Sequence, residues 1–220
     1  MFEVTDKAFS ILGSRHWQPE VMAGLDEQHL VAWSDRPRLR ARFAAELYRF
    51  LTLQQRVETV VLHGRSITSL DHLCDQIERQ IPGPDLHREI DGPYGLTELL
   101  RSNECWPGQL QPRARYLIWN DADVLLKADP LLFSRIVDAV IGVAAESEFS
   151  NTHRLLFQRT VFTGGPMLER YARDQQGQFK CWMAEGSEEP FWQLVSGLDF
   201  PPVITRPVDL LMERTRRETA

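Results

Sequence analysis

Long apolar runs are missing from this chain. No stretch approaches the roughly 20 residues that a membrane-spanning helix needs, and Met1-Phe2-Glu3-Val4 does not open a basic-then-apolar export signal. Both absences point to a cytoplasmic protein with no membrane partner. Cysteine is scarce. Cys74, Cys105 and Cys181 are odd in number and far apart, which argues against a disulfide framework, a close-paired zinc site or a dithiol redox centre and leaves reduced, mostly buried thiols. Positive charge is in deficit, with a net charge of −6 and a pI near 5.6. The chain therefore has no field with which to gather phosphate backbones, and nucleic acid is not an expected partner. Arg36, Arg38, Arg40 and Arg42 fall on every second residue, a spacing that spreads charge around a helix and reads as solvated surface. Internal repeats and low-complexity segments are also absent.

What is present is an ordinary globular composition. Hydrophobic residues make up 43% and charged residues 25% of 220 residues, enough to bury a full core and far from the polar signature of disorder. Residues 1–35 show no sustained period, with Gly13, Pro19 and Gly24 as punctuation and Trp17 and Trp33 as apolar anchors. They read as an irregular N-terminal extension on a single α/β domain over 36–220 with a helical C-terminal extension. Leu39, Phe43, Leu47, Phe50 and Leu51 then recur at helical spacing.

Val57 to His63 is a continuous, β-branched apolar run, the pattern of a strand covered on both faces, and Gly64 breaks it. Thr68 and Asp71 have the spacing of a capping box before the stripe Leu70, Leu73, Cys74, Ile77 and Ile81, which Pro82-Gly83-Pro84 must end. A short helix follows Gly95 through Leu96, Leu99 and Leu100. Tyr116 to Trp119 forms a second strand, Asp129-Pro130 caps a helix carrying Phe133, Ile136, Val137, Val140 and Ala144, and Leu155 to Phe162 forms a third strand closed by Gly164-Gly165-Pro166. Met167, Leu168 and Tyr171 start a further helix. Ser187-Glu188-Glu189-Pro190 starts another, and Val203 to Thr205 is a possible short strand. Alternating strands and helices force crossover connections. The predicted fold is thus a three-layer α/β sandwich, with a small, mainly parallel sheet and helices on both faces.

In such sheets ligands bind beyond the carboxyl ends of the strands. That rule nominates His63, Gly64 and Arg65 with Ser66 after the first strand, Asn120, Asp121 and Asp123 after the second, and Thr163, Gly164 and Gly165 after the third. Asp121 and Asp123, one residue apart at a strand end, are candidate ligands for a hard cation, although aspartate also fills turns and caps helices at such places. No serine or cysteine stands in a nucleophile turn, no catalytic residue is assigned, and no cofactor is called for. His63 reads as a hydrogen-bonded strand-end residue. Trp106 and the cluster Phe179, Trp182, Phe191 and Trp192 could anchor a protein partner.

Three resemblances bear on these residues. Asp121-Ala122-Asp123-Val124, with Asp129-Pro130 beyond, resembles the metal-binding acidic motif of nucleotide-sugar glycosyltransferases, which implies a divalent cation on a diphosphate. Tyr116 to Asp123 is similar to the acidic strand of a P-loop ATPase, with His63 to Leu70 in the place of the phosphate loop. That loop is written Gly-x-x-x-x-Gly-Lys-Ser/Thr, and Ser69, Leu70 and Asp71 stand where its last glycine, lysine and hydroxyl should be.

The longest resemblance runs from Val60 to Gln158 and is to the barstar family of small α/β ribonuclease inhibitors. It is carried by Leu62 to Asp71, Tyr94-Gly95-Leu96 through Leu100, Leu117-Ile118-Trp119, Phe133 to Ala145 and Leu155-Leu156-Phe157. It implies a non-catalytic protein-interaction or regulatory domain. In that family acidic residues on the short leucine helix plug a basic active site, whereas here that helix carries one acid, Glu98, and ends in Arg101.

Overall fold

The computed structural model describes residues 29–81, 93–102, 107–149, 157–174 and 203–217. The elements are β1 (His29–Trp33), α1 (Pro37–Thr52), β2 (Val57–His63), a 3-10 turn (Gly64–Ser66), α2 (Leu70–Glu78), α3 (Pro93–Arg101), β3 (Ala114–Asn120), α4 (Asp123–Ala128), α5 (Pro130–Phe149), β4 (Phe157–Gly164), α6 (Pro166–Asp174), β5 (Val203–Pro207) and α7 (Val208–Arg217). The strands form one five-stranded sheet in the order β2-β3-β4-β1-β5. Every pairing is parallel, as the alternation of strand and helix requires.

Alternate residues of each strand feed opposite faces. Val31, Val60, Leu62, Leu117, Trp119 and Phe162 point to the face covered by α2, α3, α5 and α6. There the Trp119 indole packs 5.4 Å from the Phe133 ring and 5.9 Å from that of Phe162. Leu30, Ala32, Tyr116, Ile118 and Val161 point to the other face, against Phe43, Ala44, Leu47 and Leu51 of α1 and Val208 of α7. This is the three-layer sandwich that the sequence predicts. Among the described residues no helix is long and apolar enough to cross a membrane.

Two expectations are corrected. The boundary at residue 35 does not hold, because His29–Trp33 is an interior strand of the sheet, between β4 and β5, with Leu30, Val31 and Ala32 buried. His29 is also buried, and its Nδ1 accepts a hydrogen bond from the Thr160 N–H at 3.1 Å. Burial, and then the charge of Arg159, push its pKa down to about 3, so the ring stays neutral. The cap of α2 is Ser69, whose hydroxyl accepts from the His72 N–H at 3.3 Å, while Thr68 hydrogen-bonds the His72 ring instead. Asp129 does cap α5, accepting from the Leu132 N–H at 2.9 Å.

The segment between α6 and β5, with its aromatic cluster and expected helix start, lies outside the described residues, as do residues 1–28, Pro82-Gly83-Pro84, Cys105, Trp106 and Leu155-Leu156. Cys74 is free and buried, as expected. At the amino-terminal end of the sheet, the fully buried Arg115 donates to the Leu100 and Ser102 carbonyls at 2.8 Å each and pairs with Glu58. Gln158 donates to the same Leu100 carbonyl at 2.7 Å. These contacts fasten the last turn of α3 to the sheet by hydrogen bonds that replace lost water.

Candidate functional site

The strand order reverses direction between β1 and β4. From β1 the chain leaves through α1 on one face to reach β2, whereas from β4 it leaves through α6 on the other face to reach β5. In an open parallel sheet this divergence opens a crevice at the carboxyl ends of the strands, where ligands usually sit. Here that position is occupied by Ser34 after β1, Asp121 after β3, and Thr163 and Gly164 at the end of β4.

The residues there form a closed circuit of hydrogen bonds. The Ser34 N–H donates to the Gly164 carbonyl at 3.0 Å, and the Ala122 N–H donates to the Thr163 carbonyl at 2.8 Å. The Thr163 hydroxyl donates to Asn120 Oδ1 at 3.0 Å and accepts from the Asp121 N–H at 3.3 Å. Asp121 itself has a φ of 48°. This left-handed conformation is one that aspartate tolerates better than most residues, and it turns the carboxylate back over the strand ends.

That carboxylate is claimed from two sides. Arg40 of α1 reaches Asp121 Oδ1 through Nη2 at 2.8 Å and Nε at 3.3 Å, and its Nη1 donates to the Ser34 carbonyl at 2.6 Å. Arg65 of the 3-10 turn reaches Asp121 Oδ2 through Nε at 2.8 Å. The two cations differ in setting, since the Arg40 side chain is 9% exposed and that of Arg65 70%. Burial alone would raise the Asp121 pKa, but the hydrogen bonds and charges of Arg40 and Arg65 outweigh it and hold the group below the ordinary carboxylate value.

Gly64 is the joint that lets this happen. A Cβ built on it would lie 2.3 Å from the Asp121 carbonyl oxygen and 2.5 Å from that of Asn120. Only glycine lets the β2 turn approach the β3 turn closely enough for Arg65 to reach Asp121. Gly64 thus serves backbone packing between the two turns.

Of the residues nominated from the sequence, Gly64, Arg65, Asn120, Asp121, Thr163 and Gly164 converge. His63 is exposed at the end of the edge strand, with its backbone N–H donated to Gln76 Oε1 at 2.7 Å. Asp123 turns away from Asp121 toward the Gly164-Gly165 turn. A Cβ on Gly164 would lie 2.9 Å from Asp123 Oδ1, and one on Gly165 would lie 3.1 Å from Oδ2. A cation at Asp121 would have to displace two guanidiniums. Among the described residues no group of three or more His, Cys, Asp or Glu is placed to hold a metal ion.

The residues missed from the sequence are Arg40 and Ser34. A signal for Arg40 exists, because it stands three, four, seven and eleven positions before Phe43, Ala44, Leu47 and Leu51, which is the buried stripe of α1. It is an arginine on the inner face of a helix, and such a charge needs a partner. Comparison with protein-family models, curated proteins and solved structures returns no match to this chain.

Proposed function

We propose that this chain is a non-catalytic α/β domain that works in the cytoplasm through protein contacts, its ligand crevice filled by its own side chains. The observation that carries this reading is the Arg40 guanidinium, seated between Asp121 and the Ser34 carbonyl where a ligand would otherwise lie. A site so occupied offers neither a free carboxylate for a cation nor free space for a phosphate, so recognition falls to the outer surface. The net charge of −6 suits a basic protein partner. The barstar resemblance fits a binding role of this kind, but it does not extend to that family's inhibitory surface. Glu98, the acid on the short leucine helix, is paired with Arg101 at 2.5 Å.

A second reading, a nucleotide-binding domain with a degenerate phosphate loop, gains from one observation once the loop is moved. The segment between β1 and α1 joins a central strand to a helix, as a phosphate loop does. Ser34, Leu39, Arg40 and Ala41 then occupy the glycine, glycine, lysine and hydroxyl positions of the motif. The loss of both glycines and the hydroxyl removes the backbone cradle and the magnesium ligand. This reading therefore supports ancestry more than present nucleotide binding.

Thermal unfolding with ATP, GDP or a UDP-sugar, each with and without magnesium or manganese, separates these readings. A ligand at a hundredfold excess over its dissociation constant stabilises by about 2.7 kcal/mol. The proposal expects no shift of the melting temperature. Stabilisation by ATP establishes the second reading instead. Manganese-dependent stabilisation by a UDP-sugar, lost in Asp121→Ala, establishes a glycosyltransferase-type site.

A further inference from the structure

The outer edge of β2 is not left to solvent. Among the described residues β2 pairs with β3 alone, so the N–H and C=O groups of alternate residues face away from the sheet. Two glutamines meet them, Gln76 of α2 and Gln80 of the turn that continues it, whose Nε2 also donates to the Gln76 carbonyl at 2.9 Å. Gln80 accepts from the Val61 N–H at 2.9 Å and donates to the Val61 carbonyl at 2.8 Å. Gln76 accepts from the His63 N–H at 2.7 Å, and its Nε2 lies 3.4 Å from the His63 carbonyl and 3.0 Å from Ser66 Oγ.

The spacing explains the fit. Residues four apart on a helix are separated by about 6 Å along its axis, and two residues of a strand advance by about 6.6 Å. A side-chain amide carries the same donor and acceptor as a peptide group. Each glutamine therefore reproduces one peptide of an absent sixth strand.

We infer that Gln76 and Gln80 are an edge guard that keeps β2 from pairing with the β2 strand of a second copy of this chain. The strand needs one. Val57-Glu58-Thr59-Val60-Val61-Leu62-His63 is β-branched and apolar, with a single acid and no proline, the composition that recruits further strands when an edge is bare. The opposite edge, β5, is blunted in the more usual way, with Arg206 and Pro207 at its end. A second copy is the relevant partner because the same edge can pair with itself across a two-fold axis.

The test uses the double variant Gln76→Ala/Gln80→Ala, followed by light scattering over a wide concentration series. Its mass is expected to rise toward twice that of the wild type as concentration increases. Adding Val61→Pro, which deletes an outward N–H that an edge strand can lose, should abolish that rise. Amide exchange gives an independent readout. In Gln80→Ala the Val61 N–H should exchange about tenfold faster or more, while the inward-facing Leu62 N–H is unchanged.

A folded double variant with the wild-type mass at every concentration overturns the inference. So does a dimer that persists with Val61→Pro, or a Val61 amide in Gln80→Ala that exchanges no faster than in the wild type. The single-variant exchange measurement decides the matter if the multiply substituted chain fails to fold.

Discussion

Replacing Arg40 with alanine tests the account of the crevice most directly. The substitution removes a guanidinium that makes two hydrogen bonds to Asp121 and one to the Ser34 carbonyl. Breaking a well-buried ion pair by deleting one partner typically costs about 3–5 kcal/mol. Two facts reduce that here: the Asp121 side chain is 19% exposed, and Arg65 remains on its other oxygen. A loss of about 2–3 kcal/mol is therefore expected, or roughly 4–12 °C of melting temperature for a chain of this size. Arg65→Ala is the paired control. That side chain is 70% exposed, and such ion pairs contribute at most about 1 kcal/mol.

Urea unfolding of both variants supplies the comparison, and its pH dependence supplies a second check. The folded-state pKa of Asp121 lies below the usual carboxylate value, so its contribution is present above an unfolded pKa of about 3.9 and is lost as pH falls through the folded value. The difference between wild type and Arg40→Ala should be flat near neutral pH and shrink below about pH 4. If the two arginine variants cost the same, or Arg40→Ala costs less than about 0.5 kcal/mol, the pair does not hold the strand ends together and the reasoning fails.

Two further outcomes follow from local geometry. Gly64→Ala places a methyl group 2.3 Å from a backbone oxygen that cannot swing away; it should cost about 3 kcal/mol or more in urea unfolding, and a near-neutral result would show that the two turns are not in close contact. Burial raises the Asp138 pKa to about 6. Its ionisation therefore withdraws stability as pH climbs from about 3.9 through that value, and Asp138→Asn should stabilise by roughly 1 kcal/mol at pH 8 and by nothing at pH 4, once screening at this half-buried position is allowed for. An equal gain at both pH values would remove ionisation as the cause.

The parts of the fold legible in the sequence were those whose burial is written as continuous apolarity. β2 and β3 each hold an apolar run, Val60-Val61-Leu62 and Tyr116 to Trp119, ended by a turn, and β4 was legible from Val161-Phe162 and the Gly164-Gly165-Pro166 that closes it, although it also carries Gln158, Arg159 and Thr160. β1 escaped notice for a physical reason. His29-Leu30-Val31-Ala32-Trp33 is five residues long, has one β-branched member and begins with a histidine, a residue that does not announce a buried strand. Its identity as a strand comes from β4 and β5 on either side, which are respectively more than a hundred residues away in sequence. That is tertiary context prevailing over local propensity. α7 was not singled out as a helix either; among its described side chains Val208 is deeply buried, while Leu211 and Met212 pack against the same cluster at partial burial.

The crevice shows why type and spacing of residues can name a candidate site without naming the charges that reach it. Asp121 and Asp123 have the spacing of cation ligands, yet what a carboxylate does depends on which charge reaches it first. Here that charge arrives from Arg40, 81 residues earlier in the chain, and from Arg65, 56 residues earlier. Nothing local to Asp121 announces either contact. Arg40 announces itself only when its position is measured against Phe43, Leu47 and Leu51 instead of against its neighbouring arginines: charges on alternate residues look like surface, whereas one charge in register with a buried stripe must be neutralised inside. Had α1 turned a small residue inward at that position, the same Asp121 would face an open crevice, and the cation reading would be the stronger one. The side chain at position 40 thus decides which charge Asp121 meets from the side of α1.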